Sequence, residues 1–213
     1  MPWERARECL MLQARYAVEA GVDVLQIRER DLEAGELARL CADIMMLTRG
    51  RRSRVVVNDR VDVALACGVH GVHLRADSMP PSAVRAMAPR GFLIGRSVHS
   101  LEEADGVAGA VDYLIAGTVW ATASKPGLET NALLGPEGLS QIAHRVAVPV
   151  LAIGGVSIER IADVSRSGAA GVAAIGLFID PHRPGSGRSC RAVTLLETVR
   201  LASRQFDTLR GVT

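Results

Sequence analysis

Aromatic side chains are scarce in this chain: two Trp, two Tyr and three Phe make up 3% of its 213 residues. A surface that grips nucleic acid usually carries such rings beside a basic stripe. Here the formal net charge is only +2, and the basic residues are interspersed with acidic ones. Nucleic acid is therefore not an expected partner. Cysteine is sparse too. Cys9, Cys41, Cys67 and Cys190 stand far apart and no C-x-x-C pair occurs. That argues against a zinc site or a disulfide framework and for a reducing, cytoplasmic setting. No run is long and apolar enough to span a bilayer and no secretory segment opens the chain, so no membrane partner is expected. A G-x-G-x-x-G fingerprint after the first strand is also missing, which leaves an open dinucleotide-binding sheet without support.

What is abundant is small and aliphatic. Hydrophobic residues make up 48% of the chain, a composition suited to parallel strands under tightly packed helices. The length suits one core, so residues 1–213 are read as a single domain. Strand and helix patterns alternate. Strands are expected at Val22–Ile27, Val55–Val57, Gly71–Leu74, Phe92–Gly95, Asp112–Gly117, Val148–Ile153 and Gly171–Ile175. Helices are expected at Trp3–Ala20, Leu32–Thr48, Val61–Ala66, Ser82–Ala88, Pro136–Val146, Ser157–Arg166 and Arg191–Phe206, with another opened by a capping box at Ser100–Glu103. Such alternation predicts an α/β fold of the TIM (β/α)8 type. Only seven strands are found where eight are needed, and the chain opens on a helix, so the first strand is the missing one. The expectation is a start upstream, a partner copy covering the gap in a homo-oligomer, or an imperfectly closed barrel. The basic cluster Arg49-Gly50-Arg51-Arg52-Ser53-Arg54 reads as a solvated helix end.

Two apolar strands end abruptly in polar groups: Val24-Leu25-Gln26-Ile27-Arg28-Glu29-Arg30 and Val55-Val56-Val57-Asn58-Asp59-Arg60. In a (β/α) barrel the C-terminal strand ends build the active site. Gln26, Arg28 and Arg30 alternate and point one way. Guanidinium forks there suit a diphosphate, or a salt-bridged mouth with Glu29. Asp59 suits Mg²⁺ as a hard oxygen ligand and equally caps the helix that follows.

Further along, Gly154-Gly155 closes an apolar run just before a helix start. Its N–H groups can cradle a phosphate, or the pair is simply a tight turn. Ile175-Gly176 ends the final strand in register with it, at the place where barrels of this class often bind phosphate. The loop from Thr118 to Leu134 carries Thr122, Ser124 and Lys125 and reads as a lid; a plain surface loop is the other reading. His73, on an apolar strand, reads as a core histidine, and His99 as a turn residue.

These segments, together with Gly71-Val72-His73-Leu74 and Ile94 to Ala104, resemble the thiamine phosphate synthase and thiazole tautomerase superfamily across nearly the whole chain. The resemblance implies a transferase that joins hydroxymethylpyrimidine diphosphate to thiazole phosphate with Mg²⁺ and releases pyrophosphate. It implies that Gln26 meets the pyrimidine and that Arg28, Arg30, Asn58 and Lys125 hold the diphosphate. Asp59 would hold the metal, and Ser97 would lie near the reacting centre. Thr122, Ser124, Gly154, Gly155, Ile175 and Gly176 would hold the thiazole phosphate, with Arg28, Ser97 and Lys125 as the catalytic set. Other members isomerise the thiazole, and a non-catalytic phosphate-binding barrel is a third reading.

Four departures stand out. Arg30 replaces a usual Lys. The usual G-Q-x-D after H-[LIV] reads Arg75-Ala76-Asp77-Ser78, so Ser78 replaces the second metal carboxylate and leaves Asp77 or no residue for that role. Gly176 replaces a polar residue, and the opening strand is absent. The tautomerase histidine, for its part, is Thr118.

Overall fold

The computed structural model describes residues 3–122, 132–175, 177, 197–204 and 206. Seven strands form one wholly parallel sheet in sequential order: β1 (Val24–Ile27), β2 (Arg54–Asn58), β3 (Gly71–Leu74), β4 (Leu93–Val98), β5 (Tyr113–Ala116), β6 (Val150–Ala152) and β7 (Gly171–Val172). Among the described residues β1 and β7 have one strand neighbour each. The sheet is thus open among the described residues, with the seven strands that the pattern predicts. Helix α1 (Trp3–Ala20) precedes β1, and helices connect the successive strands: α2 (Ala34–Leu47), α3 (Val61–Ala66), α4 (Pro81–Met87), α5 (Leu101–Val107), α6 (Gly135–Arg145) and α7 (Ile161–Arg166). Residues 197–204 add a further helix, α8.

Burial explains why these segments take these forms. Val55, Val56 and Val57 are all fully buried, as a parallel strand covered on both faces requires. On α2 the buried residues are Leu37, Leu40, Cys41 and Ile44, the i, i+3, i+4, i+7 stripe of a helix laid on a sheet. Ser100 caps α5 by accepting from the Glu103 N–H at 3.1 Å. The Glu103 carboxylate reaches back to the His99 N–H at 2.7 Å, one residue before the cap. Cys41 and Cys67 are free thiols; burial first, and then the neighbouring Cys67, push the Cys41 thiol up to about 12.

Several strands differ in extent from the pattern. β6 and β7 are shorter than expected, and Ile175 lies past the end of β7, exposed. β4 runs on to Val98, because Gly95, Arg96, Ser97 and Val98 pair in register with β5. The expected helix at 157–166 is a 3₁₀ turn, Ile158–Arg160, followed by α7. The basic cluster ends on β2 at the sheet's N-terminal rim. There Arg52 pairs with Asp23 at 2.6 Å and Ser53 Oγ donates to the Val22 carbonyl at 2.6 Å.

Candidate active site

Register builds the site. Asn58 pairs with His73, His73 with Gly95, and Gly95 with Tyr113. Partners in a parallel register share a face, so these four residues form one row across β2 to β5. Gly95 contributes no side chain to that row. A Cβ there would overlap the Tyr113 ring and sit 2.6 Å from His73 Nδ1. The gap lets His73 and Tyr113 meet over β4, their rings stacked with centroids 5.6 Å apart. His73 Nδ1 lies 3.2 Å from the Tyr113 hydroxyl, and Nε2 lies 2.9 Å from Ser97 Oγ. Ser97 is two residues beyond Gly95 and so faces the same way. Beside Asn58, the Gln26 amide donates to Asn58 Oδ1 at 3.0 Å.

The expected core histidine is thus buried, at 3% exposure, and also positioned against Ser97. Desolvation pulls the His73 pKa down to about 4. The Asp59 charge opposes that shift, while Arg28 and Arg96 add to it. Burial raises the Tyr113 hydroxyl, which therefore stays protonated at neutral pH. The sequence hides this group, because each member sits on a different strand.

Ile27, Glu29, Arg30, Leu37, Asn58, Asp59, Arg60 and Arg75 line a cleft of about 340 Å³ at the ends of β1 and β2. The alternation of Gln26, Arg28 and Arg30 does not hold as strand geometry beyond Gln26, because β1 ends at Ile27 and both arginines lie past it. Arg30 still reaches this cleft. Glu29, lining the same wall, is pushed above its ordinary value by burial and by Asp31. Arg60 spends its guanidinium on Asp62, with contacts of 2.9 and 2.7 Å.

Asp59 stands at φ +65°, the single non-glycine residue with positive φ among those described. It precedes α3, whose cap position is Arg60, so its carboxylate is not the helix cap. One carboxylate oxygen accepts from Ser78 Oγ. The other lies 3.0 Å from Arg75 Nε. That buried Nε–H is not aimed at the carboxylate and makes no hydrogen bond. Arg75 Nη2 also lies 3.3 Å from Asp77.

This arrangement is a poor fit to a Mg²⁺ cage. Mg²⁺ demands several oxygen ligands in a near-octahedral shell. Asp59 already holds a hydroxyl and a guanidinium, Ser78 stands where a second carboxylate is wanted, and Asp77 faces Arg75. No group of three His, Cys, Asp or Glu residues is placed to hold a metal among the described residues.

Gly154 and Gly155 have φ of +95° and +63°. A Cβ on Gly154 would collide with Thr118, and one on Gly155 would lie 2.6 Å from the Ala121 carbonyl oxygen. Both glycines are therefore needed for the segment after β5 to pass. Val119 and Trp120 donate to the carbonyls of Ile153 and Gly154 at 2.9 and 3.1 Å. Arg160 clamps the same turn through the Gly155 carbonyl at 2.6 Å and lies over the Trp120 ring, 5.1 Å from its centroid. Thr122 is half-buried beside this turn, while Ser124, Lys125 and Gly176 lie outside the described residues. His99 Nδ1 contacts the Gly117 carbonyl, a turn role as expected.

A parallel barrel sheet with amide, guanidinium and hydroxyl groups gathered at its C-terminal strand ends has the layout of an enzyme of the (β/α)-barrel class. The thiamine monophosphate synthase family matches residues 3–178. A thiamine-phosphate synthase of Methanoregula boonei is 40% identical over 195 residues, covering 91% of this chain and 87% of that protein. One from Methanospirillum hungatei is 39% identical over 167 residues, covering 78% and 80%. The solved thiamine phosphate pyrophosphorylase of Pyrococcus furiosus superposes with a TM-score of 0.78 at 30% identity, covering 93% of this chain and 90% of its own. The chain belongs to the thiamine monophosphate synthase family. No helix among the described residues is long and apolar enough to cross a membrane.

Proposed function

We propose that this chain joins hydroxymethylpyrimidine diphosphate to thiazole phosphate, releasing pyrophosphate and forming thiamine phosphate. The observation that carries this reading is the continuous polar line across four strands: Gln26 to Asn58 at 3.0 Å, Asn58 in register with His73, and His73 to Ser97 at 2.9 Å. A flat heteroaromatic ring with amide-like edges is matched by Gln26 and Asn58, whose side-chain amides offer both donors and acceptors to such an edge. Arg28 and Arg30 neutralise the diphosphate.

The reaction is dissociative: the pyrimidine methylene–oxygen bond breaks, pyrophosphate takes the electron pair, and the thiazole nitrogen captures the cation. Such chemistry depends on charge neutralisation and positioning more than on a general base. When the Tyr113 hydroxyl donates to His73 Nδ1, the His73 Nε2–H donates to Ser97 Oγ. The Ser97 proton is then free to point at the leaving oxygen. Positive φ at Gly154 and Gly155 leaves their N–H groups, which donate to no described carbonyl, as a cradle for the thiazole phosphate. Thr122, Ser124, Lys125, Ile175 and Gly176 complete that subsite in the proposal.

Incubating the chain with both substrates and following thiamine phosphate by mass spectrometry and pyrophosphate by a coupled assay tests the reading. Stoichiometric formation of both products is expected. Isomerisation of the thiazole alone, or neither product, refutes it.

A further inference from the structure

The cleft at the ends of β1 and β2 departs from what a metal-dependent diphosphate site needs. Three guanidiniums, those of Arg30, Arg60 and Arg75, line it together with Glu29 and Asp59. Arg75 is the one tied to Asp59. Its backbone N–H donates to Ser78 Oγ at 2.9 Å, Ser78 Oγ donates on to Asp59, and Asp59 faces Arg75 Nε at 3.0 Å. The ring of contacts holds the guanidinium in place without exhausting it. Nε is buried facing Asp59 without a hydrogen bond and Nη2 lies 3.3 Å from Asp77, while Nη1 has no partner among the described residues and is the donor left for a ligand. A second arginine, Arg96 on β4, fixes the path of the segment by donating to the carbonyls of Ala76 at 2.6 Å and Met79 at 3.2 Å.

A divalent ion in this place would meet a permanent positive charge in contact with Asp59 and Asp77, the two carboxylates at the positions that would ligate it. A guanidinium offers what the ion would: fixed positive charge against phosphate oxygens. It adds a planar fork of donors that matches those oxygens two at a time. We propose that in this chain Arg75, held by Asp59 and Ser78, replaces the divalent cation, so that the cleft binds a diphosphate group without metal. The inference rests on the diphosphate reading of the strand-end site. Arg75 and Arg30 grip the phosphate oxygens, and Asp59 positions Arg75.

The test is calorimetric titration of the full chain with inorganic pyrophosphate, once in EDTA and once in excess Mg²⁺. It is paired with a titration by Mn²⁺ followed by electron paramagnetic resonance in the absence of pyrophosphate. The wild-type chain is expected to bind pyrophosphate in EDTA within about threefold of its affinity in Mg²⁺, and to bind no Mn²⁺. Arg75→Gln should lose about tenfold or more in EDTA, the cost of one hydrogen-bonded charge. The double variant Arg75→Gly with Ser78→Asp should bind pyrophosphate only when Mg²⁺ is present, with its melting temperature confirming the fold. Pyrophosphate binding by the wild-type chain that disappears in EDTA, binding of Mn²⁺ by the wild-type chain, or no pyrophosphate binding under either condition overturns the inference. The readout is separate from turnover. A chain that binds pyrophosphate through Arg75 in EDTA yet couples no substrates would refute the synthase reading and leave the inference standing.

Discussion

At the residue scale the decisive group is His73. It is buried, stacked on Tyr113 and bonded to Ser97, and its pKa falls from 6.5 to about 4 because burial disfavours the imidazolium. The unfolded chain then binds a proton between these two values that the folded chain refuses. Stability therefore rises with pH across that window and is lost as pH falls through it. At about 1.4 kcal/mol per pH unit, His73 contributes on the order of 3 kcal/mol at neutral pH that is absent at pH 4. Urea denaturation from pH 4 to 7 should show this slope in the wild-type chain and a shallower one in His73→Gln. Some slope should remain, because His70 is also shifted down by burial. Identical slopes in both proteins would remove His73 as the cause. Ser97 makes a separate prediction. If its hydroxyl steadies the leaving diphosphate, Ser97→Ala should lower kcat by about 100-fold, the scale seen when one preorganised donor is lost. KM should hardly move, since an interaction made mainly in the transition state is missing. A rise in KM at constant kcat would assign Ser97 to ground-state binding.

At the element scale β4 is the strand that departs furthest from its sequence pattern. Phe92–Gly95 is apolar enough to be recognised as a strand. The next three residues, Arg96-Ser97-Val98, are mixed and give no such signal. They are strand because β5 supplies partners up to Ala116. Gln26, Arg28, Asn58, Asp59 and the Gly154-Gly155 turn were legible because strand ends and turns have local signatures, whereas Ser97 was visible only through the family resemblance. Tyr113 and Arg75 were not, since their roles depend on which residues of neighbouring strands and loops they face. Gly95 is the clearest instance: its lack of a side chain has meaning only once His73 and Tyr113 are known to flank it. Gly95→Ala should therefore cost about 2–3 kcal/mol, the upper range for inserting a methyl into a filled core. It should also abolish the contribution of His73 to the pH dependence. Chemical denaturation and the same pH series check both; an unchanged midpoint would mean the row has slack.

At the scale of the whole molecule, the parallel strands carry Asn58, Asp59 and Ser97 toward one end of the sheet, and the opposite rim carries exposed ion pairs such as Arg52–Asp23. Exposed pairs of that kind contribute little to stability. Cohesion comes from one apolar cluster under the helices, which the last described residues help to seal. Val199, Ala202 and Phe206 are buried and Leu201 is exposed, so this last described helical stretch presents an inward face. Phe206→Ala should cost about 3 kcal/mol by loss of buried ring and the cavity left behind. Thermal unfolding measures it, and a shift below about 1 °C would show that this residue adds nothing to the seal.

The Arg96 brace has a consequence for how such a site can change over time. It grips Ala76 and Met79 by their carbonyl oxygens, which every amino acid possesses. The loop it holds can therefore exchange its side chains freely while keeping its course. Whether that loop presents a cationic side chain or a second carboxylate becomes a matter of positions 75 and 78 alone. A lineage could cross from one form of charge neutralisation to the other in two substitutions, with the scaffold that aims them left untouched.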